Sequence, residues 1–162
     1  VATIDFFLKM DGIPGESKDV KHKGEIDLES FSWAEANPSG PSASGGGRGA
    51  GKVQMQDFHF VTRVNKASPL LFLACATGKH IKEAILTARK AGKGPLDYLV
   101  IKFKDVLVSS YQISGSEGDA APMDQVSFNF GRIDIEYREQ KPDGSLASPV
   151  RAGWDVLQGK QT

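Results

Sequence analysis

"DQVSFNFGRIDIEYREQ", Asp124–Gln140, is the stretch that decides the fold class. Val126, Phe128 and Phe130 share one face, with Ser127 and Asn129 between them. Ile133 and Ile135 then alternate with Asp134 and Glu136. A period of two is the mark of a half-buried β-strand. Asp134 and Glu136, like Asp5 and Asp27, sit between apolar neighbours. They read as a solvated strand face, not as an acid–base couple.

Outward from there the same alternation recurs. "DYLVIKFKDVLVSSYQIS", Asp97–Ser114, is a second long strand region. In "KVQMQDFHFVTRV", Lys52–Val64, Val53 and Met55 share a face, and Phe58 and Phe60 resume it after a shift of parity. "EIDLESFSW", Glu25–Trp33, shifts likewise between Ile26/Leu28 and Phe31/Trp33. Such a one-residue shift predicts a β-bulge or sharp bend. "ATIDFFLKM" opens with β-favouring residues and breaks at the turn cluster "DGIPG". "VRAGWDV", Val150–Val156, reads as a short closing strand.

One segment is helical, "ASPLLFLACATGK", Ala67–Lys79. Ser68 is expected to cap free backbone N–H groups, Pro69 to occupy the first turn, and Gly78 to end the helix. Cys75, inside it, reads as a small buried hydrophobe. "KHIKEAILTARKAG", Lys79–Gly92, satisfies helical and strand spacing equally, and periodicity leaves both open.

The chain has 162 residues, 40% apolar and 25% charged, which fits one domain, 1–162, with a sizeable core. Twenty basic residues balance twenty acidic ones, so the surface as a whole favours neither nucleic acid nor membrane. A basic stretch, Lys79, Lys82, Arg89, Lys90 and Lys93, reads as a solvated face or interface rim, and no aromatic platform lies among its charges. The single cysteine excludes an internal disulfide. The segment "VATIDFFLKM" lacks a basic leader, and Asp5 and Lys9 break its apolar run. The expectation is folding in the cytoplasm, with any export by a route that needs no cleaved signal peptide.

Residues 37–51, "NPSGPSASGGGRGAG", form a long Gly/Ser-rich loop. Within it Gly46-x-x-x-x-Gly51-Lys52 imitates a phosphate-binding loop. That device needs a buried strand before it, a helix after it and a Ser or Thr next to the lysine. Here the upstream "NPSGPSAS" is no strand, the downstream segment alternates like a strand, and Val53 follows Lys52. Nucleotide binding is therefore rejected. His22, His59 and His80 are far apart, without metal-ligand spacing, and there is no nucleophile motif. No catalytic residue, cofactor or metal site is expected.

Several segments in order, "GESKDVKHKGEIDLESFSW", "GKHIKEAILTARKAG", "YLVIKFKDVLVSS", "VSFNFGRIDIEYREQKPDGS" and "GWDV", resemble the Hcp (haemolysin-coregulated protein) family. The resemblance runs from about Ile4 to Trp154. It implies a mainly β fold, a barrel of two sheets with one flanking helix at about 69–77, and a strand at "AILTARKAG". It further implies a structural, non-enzymatic subunit of the type VI secretion inner tube, which makes the expected cytoplasm bacterial. Such subunits form a homohexamer whose rings stack on further Hcp rings, inside a contractile sheath and behind spike proteins, and the lumen shelters effector proteins.

Two residue-level expectations join the resemblance to physics. A tube assembled on demand needs ring-to-ring contacts weaker than those within a ring, and ordering a polar loop costs about 1–2 kcal/mol per residue. Ser44, Gly45, Gly46, Gly47, Arg48, Gly49 and Lys52 are therefore the expected ring-stacking contacts. If Phe31 and Trp33 enter the core, Ser32 faces outward, and it is the expected lumen or effector contact. The alternative architecture is a monomeric β-barrel holding a small apolar ligand inside.

Overall fold

A computed structural model describes residues 4–38, 52–90 and 96–162. Twelve strands and one helix follow one another along the described chain: β1 (Ile4–Met10), β2 (Ile26–Leu28), β3 (Ser30–Ser32), β4 (Glu35–Ala36), β5 (Gln54–Met55), β6 (Phe58–Arg63), α1 (Ser68–Thr77), β7 (His80–Lys90), β8 (Leu96–Ser114), β9 (Met123–Asn129), β10 (Arg132–Tyr137), β11 (Val150–Asp155) and β12 (Lys160–Gln161).

The nineteen-residue β8 is shared by two halves of one ten-stranded antiparallel sheet, each half acting as a sheet of its own. Its first half lies between β7 and β10, in the antiparallel order β12-β11-β10-β8-β7-β1-β2. Its second half pairs with β9, which continues to β6 and β3. The change of partner occurs at Asp105, the one non-glycine with positive φ (55°) among the described residues. There Gly131, between β9 and β10, donates its N–H to the carbonyls of Lys104 (2.9 Å) and Asp105 (3.2 Å). A Cβ on Gly131 would lie 3.2 Å from the Asp105 side chain. The missing side chain lets the β9–β10 crossing sit tight against the bend of β8.

Both parity shifts are breaks between strands, the first of them a bend at Glu29. Ile26 and Leu28 pair with β1, and two residues on, Ser30–Ser32 pair with β6. Glu29 lies between and donates its N–H to Val61 at 2.8 Å. The other shift separates β5, which pairs with β4, from β6. The seam between β2 and β6 is not a continuous ladder. It is joined by that N–H and by the Thr62 hydroxyl, which donates to the Asp27 carbonyl at 2.7 Å.

The two sheets enclose an aromatic core. Phe58, Phe60, Phe103 and Phe128 are at most 1% exposed. Phe58 lies 4.9 Å from Phe103 and 5.0 Å from Phe128, centroid to centroid. Each such side chain contributes about 1.5–3 kcal/mol by leaving water. A β-barrel with a hollow, ligand-holding interior is thereby contradicted, because these rings fill it.

Helix α1 covers this core with Leu71 and Ala74, and Cys75 packs partly buried beside them. Gly78 ends it at φ +65°. The expected cap is corrected: the Ser68 hydroxyl makes no cap. It donates to Asp124 of β9 and accepts the Asn65 N–H at 3.0 Å. A carboxylate without exposed surface needs a donor more than the helix end does. Lys79–Gly92 resolves as strand β7 over His80–Lys90, because Ala84, Leu86 and Ala88 all turn into the core.

Candidate assembly surfaces

The two sheets present chemically different outer faces. On the sheet of β3, β6, β9 and the second half of β8, register places Ser32 beside His59, Ser127 and Ser110. The neighbouring row is Ser30, Val61, Gln125 and Gln112. Ser32, His59 and Ser110 are exposed, Ser127 is buried in hydrogen bonds with Ser109 and Ser110, and neither row carries a carboxylate or ammonium. Phe31 points the other way, edge-on to Phe6 at 5.0 Å and stacked near Phe58 at 5.8 Å. Trp33 lies 6.2 Å from Phe130. Ser32 is exposed, so its expected outward orientation is what the structure has.

The outer face of the other sheet is charged. Glu83, Lys104 and Arg132 form one cross-strand row, and Lys102, Asp134 and Gly153 form part of the next. Glu136 receives Arg151 at 2.8 Å and Arg138 at 3.3 Å, and the Arg151 hydrogen bond foremost holds its carboxyl below the usual range. All of these except Arg138 line, with Val100, Ala152 and Thr162, a shallow groove of about 530 Å³. Strand β11 forms most of that sheet's edge, because β12 pairs only with Trp154 and Asp155.

The basic stretch does not stay together. Lys79, Lys82 and Lys90 are exposed, Lys93 lies outside the described residues, and Arg89 turns inward to 6% exposure. Its guanidinium donates two hydrogen bonds to Asp19, at 2.8 and 2.5 Å, and lies 4.8 Å from the centre of the Phe7 ring. That pairing is the main reason the Asp19 carboxyl is held at about 2. Beside it, buried His22 stacks on Phe7 at 4.5 Å between Glu25 (2.8 Å) and Asp97 (3.1 Å). These contacts fasten the segment between β1 and β2 across β7 and β8. Sequence spacing gave no sign of it, since Asp19 and Arg89 are seventy positions apart.

The three histidines are dispersed: His22 in that cluster, exposed His59 on β6, and His80 at 3.0 Å from Asp105. Among the described residues no group of three or more His, Cys, Asp or Glu is placed to hold a metal ion. None of their helices is long and apolar enough to cross a membrane.

Of the expected stacking residues, Ser44, Gly45, Gly46, Gly47, Arg48 and Gly49 lie outside the described residues, and Lys52 is exposed. The stem from which that loop departs is described. Glu35 pairs with Met55 and Ala36 with Gln54. The Trp33 indole donates to the Gln56 carbonyl at 2.9 Å. Between this stem and the β10–β11 edge runs an apolar groove of about 340 Å³, walled by Trp33, Val53, Met55, Ile133, Ile135 and Trp154. It continues past Lys52, Val156 and Gly159. Sequence reading missed it because its walls come from separate strands.

Comparison with known proteins gives one consistent result. The family model described as type VI secretion system effector, Hcp, matches residues 7–137. Over 160 residues the chain is 42% identical to protein Hcp1 of Pseudomonas aeruginosa, covering 98% of each. It is 38% identical to the crystal structure of Hcp1 from Salmonella typhimurium, with a TM-score of 0.83 and full coverage of both chains. A type VI secretion system effector from Yersinia pestis superposes with a TM-score of 0.76 at 34% identity, covering 94% of this chain and 100% of that one.

Proposed function

The chain belongs to the Hcp family of the type VI secretion system, a family of structural tube proteins and not of enzymes, and from that premise we propose how this member assembles. It closes into a hexameric ring, the rings stack into a tube, and the tube is sheathed, tipped by a spike and expelled from the cell. Effector proteins travel in the lumen, against the face that carries Ser32.

The observation that carries this reading is the contrast between the two outer sheet faces. One is polar and nearly uncharged along exposed Ser32, His59 and Ser110, with Ser127 buried in the same row. A wall of short hydroxyl side chains leaves room for cargo and holds it without strong ionic grip. The other face carries Lys102, Lys104, Arg132, Asp134, Glu136 and Arg151, suited to a surrounding protein sheath. An all-β body must also manage its sheet edges, and pairing them between copies is one way to do so.

Residues 37–51, the connection between β4 and β5, serve as the adjustable contact between rings. Ser44, Gly45, Gly46, Gly47, Arg48, Gly49 and Lys52 are its proposed docking residues.

Sedimentation and negative-stain electron microscopy of the purified protein test the reading. Six-lobed annular particles are expected, with end-on columns where rings stack. A species of 17.4 kDa at every concentration would overturn it.

A further inference from the structure

The sheet face that carries Ser32 also holds a chain of hydroxyl groups. Strand β8 is bulged where it meets β9: Val108 pairs with Phe128 and Ser110 with Ser127, which leaves Ser109 as the extra residue. A bulge sets two residues against one on the partner strand. Here both serines bond the same hydroxyl, Ser109 at 2.9 Å from that of Ser127 and Ser110 closer still. Ser109 also donates to the carboxylate of Asp57 at 2.5 Å. Asp57 stands just before β6 and two positions before His59, so the period of two sets it on the same face, one row away.

Counting protons gives this chain a direction. A hydroxyl has one hydrogen to donate and two lone pairs with which to accept. Ser109 directs its hydrogen to Asp57, so Ser127 is the donor to Ser109. Ser127 then has no hydrogen left, so Ser110 is the donor to Ser127. All three hydrogens run toward the carboxylate. What remains for a ligand is acceptor capacity, on exposed Ser109 and Ser110 and on the second oxygen of half-buried Asp57. Hydrogen bonds in series polarise one another, which makes Ser110 a stronger acceptor than an isolated serine. Among the described residues Asp57 enters no ion pair, and Arg63, further along β6, is taken by Glu29.

We propose that the chain Ser110–Ser127–Ser109–Asp57 is a binding site for a cationic side chain of the cargo, an arginine guanidinium above all. A guanidinium carries only donors, in a planar fork that bonds a carboxylate and a hydroxyl oxygen together. The inference rests on the cargo reading of this face and names the chemistry the face selects. The rows of Ser32 and Ser30 stay uncharged, and Asp57 at their margin supplies the single charge. An exposed ion pair is weak. Repeated around a ring, such sites hold a cargo jointly while each one lets go readily.

The test titrates the purified full chain into two short fluorescent peptides, one rich in arginine and one with citrulline in its place, which keeps the shape and loses the charge. Anisotropy at low salt is expected to show the citrulline peptide bound about fivefold more weakly. Asp57→Asn, equal in size and uncharged, is expected to weaken the arginine peptide by about the same factor and to leave the citrulline peptide as it was. Ser110→Ala removes the outermost acceptor and is expected to weaken the arginine peptide as well. Melting temperature and electron micrographs report whether each variant folds and forms rings. An arginine peptide that binds wild type, Asp57→Asn and Ser110→Ala alike would overturn the site and leave the lumen reading standing. A gold-labelled arginine peptide that needs Asp57, yet decorates the outer rim of annular particles and not their centres, would overturn the lumen reading and leave the acceptor site.

Discussion

The phenol of Tyr111 donates a 2.8 Å hydrogen bond to the carboxylate of Asp124, a group with no exposed surface. Ser68 donates to the other carboxylate oxygen. The three residues come from β8, β9 and the first residue of α1, so one buried carboxylate ties the helix to the sheet. Burial, and then the hydrogen bond to Asp124, push the Tyr111 phenol up to about 12. Its ionisation would leave a phenolate against that carboxylate.

The linkage follows with a definite sign. The unfolded phenol ionises near 10 and the folded one near 12. The extra stability is therefore complete below pH 10 and is lost as pH rises through 12. Ultraviolet titration of the folded protein should show a phenolate step near pH 12 that Tyr111→Phe removes. The same variant should be destabilised by about 1–3 kcal/mol at neutral pH, because a buried acceptor loses a donor. An unchanged denaturant midpoint would show that the bond carries nothing.

The Arg89–Asp19 pair makes the opposite prediction at low pH. A carboxyl held at about 2 in the fold and near 3.9 when unfolded contributes stability above the unfolded value. That contribution is lost as pH falls through 2. Asp19→Asn should flatten the stability profile between about pH 4 and pH 2, read from urea midpoints across that window. A wild-type slope retained by the variant would refute the assignment.

Gly15 tests how closely the segment before β2 must approach it. A Cβ there would meet the Glu25 carbonyl oxygen at 2.5 Å and the Ile26 Cα at 2.6 Å. Both are backbone, which cannot swing aside as a side chain does. Gly15→Ala should cost about 1–3 kcal/mol, the usual penalty of forcing atoms into packed space. Gly24→Ala, where no atom lies within 4 Å of the new Cβ, isolates the cost of positive φ alone. Equal losses at the two sites would remove the packing explanation.

Period-two runs made the sheets legible from sequence, since strand burial is a local alternation. The strand breaks were legible too, because parity shifted at Glu29 and again between Met55 and Phe58. The ion pairs and the tryptophan groove were not. Arg89 reads as one more cation of a basic run until the fold sets Asp19 and Phe7 around it. Ser68 reads as a cap because sequence shows the helix start and not the carboxylate across from it. Trp33 and Trp154 come from segments more than a hundred positions apart and line one groove only in the fold.

Ser32 and the glycine-rich loop separate two levels of assembly. Ser32 shares its row with His59 and Ser127 on the nearly uncharged face and is exposed. Ser32→Gln should leave melting temperature and rings unchanged while weakening retention of a lumen-bound effector in co-purification. Equal retention would move the cargo contact elsewhere. Deletion of residues 40–50 spares the β4–β5 stem, whose described pairs end at Ala36 and Gln54. Rings should therefore survive, since no stem pair is cut, while columns should shorten or vanish in micrographs. Columns of wild-type length from the deletion variant would show that ring stacking draws on other surfaces.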